Sequence, residues 1–257
     1  MTHYLSSSTR GVQLFVLIGL IGTFMGLLYY PLTMSMFWAV LAGYFVYGCL
    51  GIVVTFHRKL THNSYKSNDW LTKLFTIFGA LAGTGSAIAW VAIHINHHLK
   101  SDSINDPHAP KYKGWRIFLL EYEANINEDT KWRMRRLISD KFQQFVHRYY
   151  FVIIAAWSLL LFAIGGIWLM IFGHWAPAVL TGIMSNVVNV AGHNPKWIGG
   201  FRTYNLNDES TNSWLFAIPS WGESWHNNHH RWPMRWKFSE KWWHLDISAM
   251  VIRLIKT

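Results

Sequence analysis

The sequence predicts an all-α integral membrane protein, with four transmembrane helices beneath a cytosolic helical cap that holds a His-rich site for two metal ions. Three observations carry this. Two long stretches, 11–56 and 149–195, contain no Asp, Glu, Lys or Arg. All 23 Lys and Arg lie outside them, so the turns expected near Pro31 and Pro177 carry no charge. Three histidine runs border apolar segments: H-x4-H at 57–62, and H-x-x-H-H at 94–98 and again at 226–230.

Composition sets the class. The 257 residues suit one domain, 1–257, and 51% hydrophobic against 14% charged residues, with 16 Trp, is a membrane composition. The net charge of +10 does not point to nucleic acid, because the basic residues flank apolar spans as juxtamembrane charge does on a cytoplasmic face. The lone Cys49 excludes a disulfide framework and argues against a thiolate metal site.

The elements follow in order. Residues 1–10 are short, polar and Ser-rich and are expected to fray. Pro31 divides the first uncharged stretch into spans at about 12–30 and 34–56, each near the ~20 residues a crossing needs. The apolar run 70–93 is different. The first histidine run leaves the second span and the second run follows residue 93. A full crossing between them would put the two on opposite sides, so 70–93 is expected to lie interfacially. Residues 99–148 are polar and charged, and Lys131, Arg133, Arg135 and Arg136 suit either anionic head groups or a solvated helix face. The second uncharged stretch is expected to split near 173–177 into spans at about 150–172 and 176–194. Residues 196–257 complete the cap. Four crossings place both termini and all histidine runs on the Lys/Arg-rich, cytoplasmic side.

The spacing specifies the chemistry. On a helix, i, i+3 and i+4 share a face, so each H-x-x-H-H aims three imidazoles one way. Eight histidines exceed what one ion uses. His57 and His62, five apart, converge on a regular helix only if it ends or bends between them. His193, at the end of the fourth span, joins Asn189 one turn earlier on the same face. His3, His174 and His244 keep the ordinary reading of surface or core histidines. Imidazole alone does not name the metal. A metal pair beside a membrane stem meets hydrocarbon, and breaking an unactivated C–H bond needs activated oxygen and a redox metal, iron first.

At these residues the chain resembles the membrane fatty acid desaturases, in the branch that holds the stearoyl-CoA and the bacterial and cyanobacterial Δ9 enzymes. HRKLTH (57–62), HINHH (94–98) and HNNHH (226–230) are similar to its three histidine boxes. Asp106-Pro107-His108, the stretch 208–212, Gly222-Glu223 and Trp242-Trp243 also fit. The resemblance implies a di-iron centre on His57, His62, His94, His97, His98, His193, His226, His229 and His230, with Asn189 reaching one iron through water and no catalytic residue separate from the metals. It implies O2 as co-substrate, two electrons from a separate carrier such as ferredoxin or cytochrome b5, and a cis double bond, Δ9 in a C16 or C18 chain. Trp90 and Thr181 match positions lining a bent substrate tunnel, or are plain core. Leu41 and Phe45, about three turns from His57, are candidates for the tunnel end. Where acyl-CoA enzymes carry an arginine this chain has Ala92, which favours an acyl-lipid over acyl-CoA or acyl carrier protein. The aromatic-SHxGW stretch of the family has no counterpart in 114–124, and His244 stands where an acid is frequent. Two other functions fit the same residues: a di-iron acyl hydroxylase or oxygenase on this scaffold, and a membrane metal-binding or transport protein.

Overall fold

The computed structural model describes residues 2–120, 127–194, 196 and 199–257, with side chains from residue 9 onward. Among the described residues, three helical runs are long and apolar enough to cross a membrane: Thr9–Tyr29, Met34–Thr61 and Tyr150–Gly192. The first is the body of α1 (Thr2–Tyr29). The second is α2 (Met34–Tyr44), capped by the Thr33 hydroxyl on Met36 N–H, which continues without a break into a π-wound segment, Phe45–Thr61. The third joins α8 (Tyr150–Met170), a π turn at Ile171–Trp175 and α9 (Ala176–Gly192).

The third run is folded on itself. Gly165 and Gly166 leave helical geometry inside α8, and Gly166, at φ 64° and ψ −164°, occupies a region open in practice only to glycine. The break therefore falls at 165–166 and not at 173–177. Helix continues through 173–177 because Pro177 stands in the first turn of α9, where its missing N–H costs nothing.

Contacts fix the sense of each limb. Ser158 Oγ donates to His174 Nδ1 at 2.9 Å, and Leu161 packs by Gly173, so the two limbs of the third run are antiparallel. Gly19 faces Val179 while Gly26 faces Ile171, so α1 is antiparallel to the last limb. Gly43 faces Pro177 and Gly48 faces Thr181, so the second run is parallel to it. His57–His62 and His193 therefore share one end of the bundle.

The run 70–93 doubles back. Helix α3 (Asp69–Leu81) ends at 82–86, and α4 (Ala87–Lys100) restarts under a Ser86 cap. The tip is pinned in the bundle: His174 Nε2 donates to Leu81 O at 3.0 Å and Gly85 N–H to Tyr150 Oη at 2.9 Å. His94–His98 is thereby returned to the end that carries His57. Beyond it lie α5 (Pro110–Lys113), a 3₁₀ stretch Gly114–Leu119, α6 (Glu128–Ser139) and α7 (Lys141–Arg148). A two-stranded ribbon, β1 (Gly200–Phe201) with β2 (Asn212–Ser213), α10 (His226–Arg231) and α11 (Ile247–Ile255) close the cap.

Helix α3 lies on the π-wound segment at backbone distance. A Cβ on Gly51 would sit 2.3 Å from Gly79 N and 2.5 Å from its Cα, atoms that cannot rotate away. Gly51→Ala is expected to destabilise the fold by about 1–3 kcal/mol, the usual cost of overpacking. Gly182→Ala, whose Cβ would meet Thr84 at an ordinary 3.7 Å, leaves it unchanged. Thermal unfolding in detergent measures both.

Candidate metal centre

The first histidine pair is built by the π winding. In a helix bonded i to i+5, residues five apart stack on one face. His62 N–H donates to His57 O at 3.2 Å, and the two rings lie 4.9 Å apart, centroid to centroid. The helix ends at Thr61 with His62 as its C-cap, as the five-residue spacing required, and the wider turn before that end brings both rings together. The end of α4 supplies His94, His97 and His98, the end of α9 presents His193, and the short α10 supplies His226, His229 and His230.

These nine rings form two nests. In one, ligand atoms of His57, His62, His94, His98 and His229 all lie within 4.8 Å of one another; in the other, those of His97, His193, His226 and His230 do. In the first, His98 Nε2 stands 3.0 Å from His94 Nε2 and 2.9 Å from His229 Nε2. In the second, His226 Nε2 stands 3.0 Å from His193 Nε2 and 3.1 Å from His230 Nε2. Two imidazole nitrogens bound at about 2.1 Å to one ion, at right angles, stand about 3 Å apart. The donor set thus fits a metal ion in each nest. The nests meet at His98 and His230, whose ring centroids are 4.7 Å apart.

Carboxylates fix which nitrogen points inward. His97 Nδ1 donates to Asp106 at 3.0 Å, His193 Nδ1 to Asp102 at 3.1 Å, His230 Nδ1 to Asp208 at 2.9 Å, and His57 Nδ1 to Glu223. Each such bond takes the ring proton outward and leaves Nε2 a bare lone pair, the outer-shell arrangement of metal-bound histidines. Bare lone pairs held 3 Å apart repel unless a cation lies between them. His62 Nε2 is buried with no hydrogen-bond partner among the described residues.

Titration agrees. Burial, then neighbouring imidazoles, hold His62, His94, His97, His98, His226 and His229 well below the ordinary imidazole range, so they are neutral ligands near pH 7. Burial opposes ionisation of Asp208, Asp102 and Glu223, but hydrogen bonds to Asp208 from His230, to Asp102 from His193 and the Glu209 N–H, and to Glu223 from His57 and the charged Arg58 outweigh it and hold them low. Burial pushes Asp106 up to about 6. Arg58, inside the first box and fully buried, pairs with Glu223 Oε1 at 2.9 Å and Asp246 Oδ1 at 3.0 Å and stacks 3.8 Å over Phe238.

A cavity descends from the nests between the apolar limbs. His57, His94, His226 and Asn189 border its top, and at the other end of its wall lie Tyr44 of the second run and Trp221, whose ring packs on it at 4.9 Å. Trp90 and Thr181 both line it, and Trp90 stacks on His94 at 5.0 Å. Leu41 and Phe45 do not line it. They pack outside, in the cluster around Tyr44 and Trp221. The lining residues of the second run are Tyr44, Gly48, Ile52, Val53 and His57, one turn every four to five residues as i→i+5 bonding dictates. A count at 3.6 residues per turn lands on the wrong side chains.

The remaining histidines sort cleanly. His174 ties Ser158 to Leu81, and His244 stacks on Trp225 with centroids 4.0 Å apart. His3 falls among the residues whose side chains are not described. His108 borders the cavity with its ring 4.1 Å from His97, and with Asp106, Asp208 and Glu223 it sits in the motifs already quoted. Asp102 is the neighbour of the nests that those motifs missed. The available signal was an acid within four residues of the second and third boxes, Asp102 after His98 and Glu223 before His226.

A sequence model of the fatty acid desaturase family matches residues 33–247. The chain is 34% identical over 219 residues to the sn-1 stearoyl-lipid 9-desaturase of Anabaena variabilis, covering 83% of this chain and 78% of that one. It is 34% identical to the Delta-9 acyl-lipid desaturase 2 of Arabidopsis thaliana, over 87% of this chain and 73% of that one. It is 32% identical to the acyl-CoA C20 Delta5-desaturase of Anemone leveillei, over 89% and 74%. Because these matches run through every element that feeds the two nests, the chain belongs to the fatty acid desaturase family and is an oxidoreductase of the membrane.

Proposed function

We propose that this protein introduces a cis double bond at Δ9 of a saturated C16 or C18 chain carried by a membrane lipid. It is read as a single domain crossing the bilayer four times, with the histidine nests and both termini cytoplasmic and the α3–α4 hairpin dipping in from that side. The observation that carries the reading is the pair of imidazole nests opening onto an apolar cavity that runs down to Tyr44 and Trp221. The nine histidines would hold two irons, with Asn189 placed to order a water on one of them. So loaded, the centre supplies the redox chemistry that an unactivated C–H bond demands, with O2 and two electrons.

The chain's own residues supply position. The cavity wall excludes water and holds the acyl chain extended past Thr181 and Gly48 and against Trp90, so that one pair of methylenes lies beneath His57, His94 and His226. Two hydrogens leave the chain, and with two electrons and two protons they reduce O2 to two waters. The electrons come from a separate carrier such as ferredoxin or cytochrome b5, and a basic cap favours an acidic one. The acyl-lipid reading draws on the relatives named as lipid desaturases and on Ala92. That residue is fully buried and packs in the cluster with Met134 and Leu137, so it offers no cation to a CoA phosphate.

Expression in a host lacking its own desaturase, with double-bond location in the extracted lipids, tests the activity. A cis-Δ9 olefin on lipid-bound C16 or C18 chains is expected. An oxygenated chain without olefin would replace the reading with a hydroxylase, and an unchanged profile from iron-loaded protein with a donor present would end it. Asp106→Asn is expected to weaken iron retention about 10–100-fold, the usual cost of losing a carboxylate behind a ligating histidine; iron per chain after gel filtration against a chelator series reads it. Tyr44→Ala is expected to raise the share of longer-chain products several-fold, while Phe45→Ala leaves chain-length preference as it was. Gas chromatography of the products decides between the two sides of that helix.

A further inference from the structure

Between the second histidine run and α6 the chain forms a short strap, α5 and the 3₁₀ stretch that follows it. Ile117 and Leu120 are its buried pegs, and Leu120, in left-handed backbone at φ 54°, is part of the cavity wall. Outward the strap shows Tyr112, Trp115, Phe118 and Leu119, with Trp115 72% exposed. Among them stand Lys111, Lys113 and Arg116, and 110–120 contains no acid. Glu121 and Glu123 follow in the chain, outside the described residues.

Its place in the fold says what covers this face. Gln13 Nε2 donates to Leu119 O at 2.8 Å, so the strap lies against the head of α1, one turn past Arg10. There the apolar surface of α1 begins, with Leu14 and Leu17 exposed on the face the family reading turns to lipid. The aromatic face of the strap continues that surface. Large apolar side chains left in water would be costly, and aromatic rings interleaved with cations are the chemistry of the head-group layer. The strap thus stands beside the cavity, at the level where an acyl chain leaves its head group.

We propose that residues 110–119 seat in the cytoplasmic head-group layer and that Lys111 and Lys113 bind the phosphate of an anionic glycerolipid, whose acyl chain then threads past Leu120 into the cavity. This assignment rests on the acyl-lipid reading and deepens it by naming the head-group class. Arg116 flanks the site but is not required by it.

The purified holoenzyme is reconstituted in vesicles of equal phosphatidylcholine and phosphatidylglycerol, each carrying distinguishable isotope-labelled saturated chains. Wild type is expected to desaturate the phosphatidylglycerol chain about fivefold or more in preference, the factor that one cation contributes near an anionic surface. Lys111→Gln with Lys113→Gln is expected to bring that ratio close to one. Equal use by wild type, or an undiminished preference in the variant, overturns the proposal. A second measurement needs no turnover. Cys49 is the sole cysteine and is buried, so Trp115→Cys takes a single environment-sensitive fluorophore. Its quenching by phosphatidylglycerol bearing a nitroxide high on the chain is expected to exceed that by similarly labelled phosphatidylcholine, and to equalise in the lysine variant. A probe that stays in water overturns the proposal whatever the products. Selective quenching without olefin from either lipid upholds the strap and overturns the acyl-lipid reading instead.

Discussion

The hydrogen-bond register of Phe45–Thr61 is the constraint on which the rest of the structure depends. Bonding i to i+5 widens the turn, and the widened turn does two things with one backbone. At its head it stacks His57 on His62. Below, it turns Val53, Ile52, Gly48 and Tyr44 to the same side, so the wall of the cavity and the first imidazoles of the nest are one continuous stripe. The site and the channel that feeds it are therefore indexed to each other by the helix, and cannot slip independently. Gly51, on the opposite side, admits α3 to backbone contact and holds the winding in place.

Above that helix the polar network is closed rather than merely dense. Glu223 serves His57 and Arg58 together, and Arg58 passes the connection to Asp246. Asp246 in turn caps α11 through Ala249 N–H and accepts from Phe238 N–H. A buried guanidinium is tolerable only when paired and hydrogen-bonded, and here two carboxylates and the Trp236 carbonyl meet it. The energetic logic is that of a frame: charged groups with no access to water are bound to each other, and the imidazoles hang from that frame with their orientation already decided.

Much of this was legible in the residues alone. The nine histidines were named from spacing and resemblance, and the structure gathers all of them, because three rings at i, i+3 and i+4 announce a face whatever the fold. The return of His94 to the side of His57 was legible from the demand that they meet. The π winding was not, since nothing in the composition of 45–61 distinguishes a turn of i+5 from one of i+4; Leu41 and Phe45 were misplaced for that reason. The hairpin turn was sought at Pro177, a residue that starts helices as readily as it stops them, while the Gly165-Gly166 pair, ending eleven residues earlier, makes the turn. The outer carboxylates required knowing which loops lie over which rings, and that is tertiary information.

Neither nest is complete without α10: one takes His229 from it, the other His226 and His230. In chain order every other member of the two nests precedes those residues. During synthesis the stem can therefore be finished and inserted while both sites still lack their last donors. Assembly of either nest must therefore wait for 226–230 to emerge from the ribosome, and a chain truncated before His226 retains its greasy helices with no means of assembling either nest.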